Sequence, residues 1–259
     1  MAAHRLPAKL KREPLADAVF EIRFSSTIPG SNIIPGALAS LVRAEDLPVE
    51  RLPASDIPSR IRDIDPRLRS QPLMRMHWGE SFAILIGDTG LSLASKIPYP
   101  GWKSERGFKS HILQLIKHVT DANAIQSVER YSLKYTTVID GKDLAEQIGR
   151  FKVDLRLGEY QLKAEPFSIR VEIRDGGLLH LVQLAAPASV AADKGGTRTG
   201  ALIDIDGICE HKTSDLKQFL HELPNRIEQL HTRDKERFFD LLTPDTLAYL
   251  EPIYDLESN

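Results

Sequence analysis

The chain has a single cysteine, Cys209, among 259 residues. It can form no internal disulfide and no zinc site built on several thiolates. That fits a reducing compartment, and the expected location is cytoplasmic. No apolar run approaches the ~20 residues that a membrane helix needs, so no membrane partner is expected. The first residues include His4, Arg5, Lys9, Lys11 and Arg12 but no apolar stretch of the secretory kind. Residues 1–13 are expected to form a flexible basic tail. An excess of one charge is missing too. The 34 basic and 36 acidic residues leave a net charge of −2. A dedicated nucleic-acid binder carries a basic excess or stripe, so nucleic acid is a possible partner but not a favoured one.

Several catalytic signatures are also missing. Lys194-Gly195-Gly196-Thr197 lacks the spacing of a phosphate loop and reads as a flexible strand connection. There is no nucleophile elbow of the G-x-S-x-G type. His221 is followed by Glu222, but the next histidine, His231, is too far along for a His-Glu-x-x-His metal site. Cys209 and Glu210 are strand neighbours and point to opposite faces, so they cannot act together. No cofactor and no metal are expected.

What the chain does have is an internal echo. Phe20 to Gly30 and Tyr131 to Gly141 align without a gap. Aromatic meets aromatic (Phe20/Tyr131, Phe24/Tyr135), aliphatic meets aliphatic (Ile22/Leu133, Ile28/Ile139), and base meets base (Arg23/Lys134). Hydroxyls follow (Ser25/Thr136, Ser26/Thr137), and both segments end in glycine. Each segment alternates with period two, which predicts a strand with one buried face.

The rest of each half repeats the order. A helix is expected over Ile34 to Ala44, with Pro35 in its first turn. Residues Pro53 to Pro72, rich in proline and arginine, read as a long irregular excursion. Strands are expected over Leu73–Trp78, Ser81–Ile86 and Leu91–Ser95, then a helix carrying Phe108, Ile112, Leu115, Ile116 and Val119 at helical spacing. The second half predicts a strand over Ser127–Ile139, a short helix over Asp143–Arg150, and a hairpin of Ser168–Ile173 with Leu178–Leu184. A strand over Ala201–Glu210 and a helix over Thr213–Leu242 follow. That helix carries the stripe Leu216, Phe219, Leu223, Ile227 and Leu230, and Pro224 is a possible kink. A short helix over Pro244–Leu250 ends the series.

The expected class is α+β: tandem-duplicated β-α-βββ-α units forming a mainly antiparallel curved sheet, with long helices on one face. The arrangement is analogous to the TATA-binding-protein and helix-grip folds, an analogy that carries no function. The halves are expected at 14–125 and 126–259, in one compact unit.

The chain also resembles a sporadically distributed bacterial and archaeal family of uncharacterised proteins of similar length. The residues that carry the resemblance are Pro14-Leu15 with Val19 to Phe24, Pro98-Tyr99-Pro100-Gly101-Trp102, and Tyr131 to Tyr135. Leu202 to Asp206, Leu230-His231, Phe238-Phe239 and Leu242-Thr243-Pro244 complete the set. Thr136-Thr137-Val138 departs from the family's Tyr-(Ile/Val)-Asn-Arg-Ile. The resemblance implies a prokaryotic cytosolic protein without established catalytic residues. Its patchy distribution suits defence or toxin–antitoxin genes.

The candidate site residues are few. Asp204 and Asp206 lie two apart in a strand and leave the same face. They could hold Mg²⁺ for phosphoester cleavage, or they could pair with Arg23 and Lys134 on the polar faces of the echoed strands. Two carboxylates without a third ligand make a weak metal site, which favours pairing. Tyr99 and Trp102 form a rigid surface-recognition candidate. The alternative is that Trp102 staples the helix start to the sheet. His231 follows the helical stripe and suits a polar contact. The expected function is therefore a non-catalytic binding protein, engaging a protein partner (a toxin, an effector or a second copy of itself). A metal-dependent phosphoesterase or a nucleic-acid binder is the alternative.

Overall fold

The computed structural model describes residues 6–65, 67–192 and 196–254. His4, Arg5, Pro66, Lys194 and Gly195 lie outside them. In chain order the elements are β1 (Lys9–Leu10), β2 (Leu15–Ser25), α1 (Gly30–Ala37), β3 (Glu50–Arg51), α2 (Ser59–Ile64), β4 (Met74–Trp78), β5 (Phe82–Ile86), β6 (Gly90–Ser95) and α3 (Phe108–Asp121). Then come β7 (Ser127–Ile139), α4 (Leu144–Ile148), β8 (Arg156–Leu157), β9 (Tyr160–Gln161), β10 (Phe167–Asp175), β11 (Leu178–Ala192), β12 (Gly196–Thr213), α5 (Leu216–Asp240), α6 (Pro244–Tyr249) and β13 (Pro252–Ile253).

Among the described residues nine strands form one antiparallel sheet, in the order β10-β11-β12-β7-β2-β6-β5-β4-β3. The chain is an α+β protein with helices packed on that sheet. Two compact units can be traced. One comprises 17–134 and 208–230; the other comprises 1–16, 135–207 and 231–259. Their boundaries pass through β2, β7, β12 and α5. Among the described residues no helix is long and apolar enough to cross a membrane.

In the unit of 17–134 and 208–230, alternation decides which face is buried. Phe20, Ile22 and Phe24 of β2 and Leu133 of β7 are fully buried, and Tyr131 is nearly so. Burying each such side chain contributes about 1.5–3 kcal/mol. Phe82 of β5 stacks on Phe108 of α3 at 6.1 Å between ring centroids. Tyr131 meets Phe219 of α5 at 6.0 Å. The α3 stripe of Phe108, Ile112, Leu115, Ile116 and Val119 is buried throughout, as are Phe219, Leu223, Ile227 and Leu230 of α5. Pro224 lies inside α5, and the helix runs through it unbroken.

The other unit has its own core. Val182, Leu184 and Ala186 of β11 meet Ala201, Ile203 and Ile205 of β12, with Phe151 and Leu242 beside them. Phe167, Ile169 and Ile173 of β10 and Phe238 and Phe239 of α5 pack against this cluster. The β10–β11 hairpin turns on Gly176 and Gly177, both at positive φ (57° and 84°). That is the backbone a two-residue turn needs, and glycine reaches it without strain. Asp143 caps α4 by accepting from the Glu146 amide at 2.8 Å. Thr243 does the same for α6, with Pro244 in the first turn.

Three expectations change. The first helix starts at Gly30, not Ile34, because extended Pro29 serves as its cap (φ −47°, ψ 131°). Pro35 therefore falls inside it. The segment Pro53–Pro72 is not without regular structure. Pro53 opens a 3₁₀ turn and Pro58 caps α2. Arg62 of α2 pairs with Asp88 at 2.9 Å, both side chains largely shielded (11% and 17% exposed). Prolines start helical turns there. Finally, residues 6–13 are not a free arm. Lys9–Leu10 pairs antiparallel with β13, Leu10 is buried, and Lys11 and Arg12 both reach Glu251. The apolar Leu10 supplies the anchor that the basic composition of the segment conceals.

Candidate functional site

The helices of the first-described unit cover the even-numbered side chains of β2, so Glu21 and Arg23 project from the opposite face. On β7 the helix side takes Tyr131 and Leu133, and Arg130 and Lys134 fall on the other side. This opposite face carries an ion cluster, and the smaller Ser132 of β7 is buried on it. Glu21 accepts from Arg23 Nε at 2.9 Å and from Arg130 Nη2 at 3.3 Å. The three side chains are only partly exposed, at 27%, 37% and 22%. Lys134 is half-buried on the same face. Exposed ion pairs contribute about 0–1 kcal/mol, and where a pair is shielded the cost of desolvation offsets much of the stronger attraction.

The structure places Arg23 beside Glu21, a partner two residues away on its own strand. Asp204 lies in the other unit and accepts from Thr136 Oγ1 at 3.0 Å. Asp204 and Asp206 share the face of β12 opposite Ile203 and Ile205, as period two requires. Among the described residues no group of three or more His, Cys, Asp or Glu side chains is placed to hold a metal ion.

Trp102 is buried, at 6% exposure. Its ring stands edge-on to Phe108 at 6.2 Å, and its Nε1 donates to Glu228 at 2.9 Å. Lys109 Nζ reaches the same Glu228 oxygen at 2.6 Å. Tyr99 packs on Phe108 at 6.0 Å. These contacts fit the staple reading, since they tie α3 to α5. Trp102→Phe keeps a smaller aromatic ring and loses the donor, while Lys109 still serves Glu228. A loss of about 0.5–1.5 kcal/mol is expected in urea denaturation. A loss beyond ~3 kcal/mol would mean that the indole does more than brace the helices.

His231 accepts or donates through Nδ1 to the Tyr135 hydroxyl at 2.9 Å, with the rings edge-on at 5.8 Å. Cys209 is buried against Tyr131. Burial, then the Cys209 contact, raises the Tyr131 phenol well above the ordinary tyrosine range. Cys209 and Tyr131 are shielded from solvent, whereas Tyr135 and His231 are half-buried.

The sequence did not single out the most deeply buried polar pair. His180 of β11 and Asp234 of α5 are joined Nδ1 to Oδ1 at 2.9 Å, with side chains 0% and 1% exposed. Burial raises Asp234 to about 7, and the charge of Asp206 adds to the rise; His180 and Arg237 oppose it. Among the described residues, His180 Nε2 and Asp234 Oδ2 have no further hydrogen-bond partner. A signal existed. Asp234 continues the α5 stripe one turn beyond Leu230, and His180 holds a core-facing position of β11. A polar residue in each apolar series marks a pair. The dyad is sealed from solvent.

The same unit contains a cleft of about 340 Å³. Tyr249 stands in its wall between Arg12 and Arg150, whose guanidinium carbons lie 4.6 and 4.2 Å from the ring centre. The Tyr249 hydroxyl donates to Asp140 at 2.7 Å. Arg198, also in the wall, donates to the Leu15 and Val138 carbonyls at 2.8 and 3.2 Å. These cations are already engaged in holding strands and helix together.

No protein-family model, no curated protein and no solved structure matches the chain.

Proposed function

We propose that this is a non-catalytic binding protein whose open sheet face holds a protein partner. The observation that carries the reading is the half-buried Glu21–Arg23–Arg130 cluster on the strand face opposite the helices. Charges of both signs, held on rigid central strands, suit recognition of a complementary protein surface. They suit a polyanion less well. Asp204 and Asp206, in the other unit, serve as recognition or structural groups. In keeping with the family resemblance, the setting is prokaryotic, cytoplasmic and defence- or toxin–antitoxin-like. The partner is then a toxin or effector encoded nearby.

Tandem duplication and a curved sheet are part of this proposal. The strand order supports duplication. Outward from β2 the sheet reads β6, β5, β4, and outward from β7 it reads β12, β11, β10. Each series has a short helix after its first strand and a long helix after its last.

The experiment is affinity capture from the native host with wild type, Glu21→Ala and Arg23→Ala, each checked for an unchanged melting temperature. One partner should be retained by wild type and depleted at least about tenfold by both variants. Equal recovery on all three baits contradicts the open-face assignment. Metal-dependent phosphodiester hydrolysis by wild type, abolished by Asp204→Asn with Asp206→Asn, would replace it with the enzyme reading.

A further inference from the structure

β10 is the outermost strand at one end of the nine-strand order. Its inner edge is paired with β11 along its whole length, from Phe167 opposite Ala186 to Asp175 opposite Leu178. The two-residue turn makes Asp175 and Leu178 a hydrogen-bonded pair. The odd-numbered residues of β10 therefore direct their N–H and C=O groups to β11. Ser168, Arg170, Glu172 and Arg174 direct theirs outward, and no backbone hydrogen bond from another described segment reaches them.

Edges of this kind are normally blunted by shortness, proline, bulges or charged side chains, lysine above all. β3, at the other end of the order, has two residues. β10 has nine, with neither proline nor lysine. Its Val171 is 46% exposed although it stands on the core side between Ile169 and Ile173. The sequence Ile169-Arg170-Val171-Glu172-Ile173 has the same apolar pattern in both directions about Val171, with opposite charges at the two mirrored positions.

We propose that this edge pairs antiparallel with the same edge of a second copy of the chain, Val171 opposite Val171. In that register Arg170 faces Glu172 of the second copy and Glu172 faces its Arg170. Ile169 faces Ile173 of the second copy on the core side. Ser168, Arg170, Glu172 and Arg174 then exchange about eight backbone hydrogen bonds. The register is specific. With the axis on Arg170, Arg170 opposes itself; with the axis on Glu172, Arg170 opposes Arg174. Like charges directly opposite each other are unfavourable. The Ile173 axis also sets Glu172 opposite Arg174, but it pairs only those two outward residues and loses about half of the backbone hydrogen bonds. The Val171 axis brings opposite charges together with all four outward residues paired, and a two-fold self-complementary patch is what a symmetric dimer uses. The assignment does not rest on the open-face reading, which concerns β2 and β7.

Sedimentation velocity over a range of about 5–200 µM tests it. Wild type should reach a dimer within that range. Glu172→Arg sets arginine against arginine at both symmetric positions and should raise the dissociation constant at least about tenfold. Arg170→Glu combined with Glu172→Arg restores the opposite pairs and should restore the dimer. Both sites are exposed, so the far-ultraviolet circular dichroism should not change. A monomeric wild type overturns the proposal. So does a dimer that Glu172→Arg leaves intact, or one that the charge swap fails to recover.

Discussion

Phe24→Ala should lower the unfolding free energy by about 3–5 kcal/mol. Phe24 is fully buried at the end of β2, where the chain turns into α1. A Cβ built on Gly30 would come 2.7 Å from Phe24 Cζ, so the ring is in close contact with the helix start. Truncation removes the transfer free energy of the ring and leaves a void that a sheet face and a helix cannot both close. That loss is a large part of the stability of a typical domain. Guanidinium denaturation measures it directly. A loss under 1 kcal/mol would mean that the even-numbered face of β2 is not the packed one.

The second large effect is a pH dependence. Asp234 is raised from an ordinary value of 3.8 to about 7, chiefly by burial. Between these two values the folded protein keeps a proton that the unfolded chain has released. Stability therefore declines as pH rises from about 4 towards 7 and levels off above it. His180 faces the carboxylate through Nδ1, Arg237 lies close, and Asp206 adds like charge. Asp234→Asn has no proton to lose. Its stability relative to wild type should rise steadily between pH 5 and 7, then stay constant to pH 8. Urea midpoints at four pH values test this, because titrating groups remote from residue 234 cancel in the difference. Parallel curves for the two proteins would show that Asp234 is already ionised in the fold.

The strands were legible because period two is a local property. Phe20, Ile22 and Phe24 alternate with charged residues, so face and element follow together. The α3 and α5 stripes were legible for the same reason. The start of α1 was not, because Pro29-Gly30 serves equally as a strand breaker and as a helix entry. The anchoring of Leu10 was hidden in basic surroundings. At the candidate site, Arg23 and Lys134 could be placed on the polar phase of their strands. Their neighbours were harder. Arg130 is 109 residues from Glu21, and His180 is 54 from Asp234. Such pairs depend on which strands and helices become neighbours, and residue spacing does not encode that. Glu21 was within reach, because it precedes Arg23 by two on the same face.

The central claim is that the open face of β2 and β7 binds a protein. Isothermal titration of the captured partner, purified, against wild type and Arg23→Ala tests it most directly. The account predicts saturable binding to wild type and at least about tenfold weaker binding to the variant, with melting temperatures unchanged. Equal affinities for the two would contradict it.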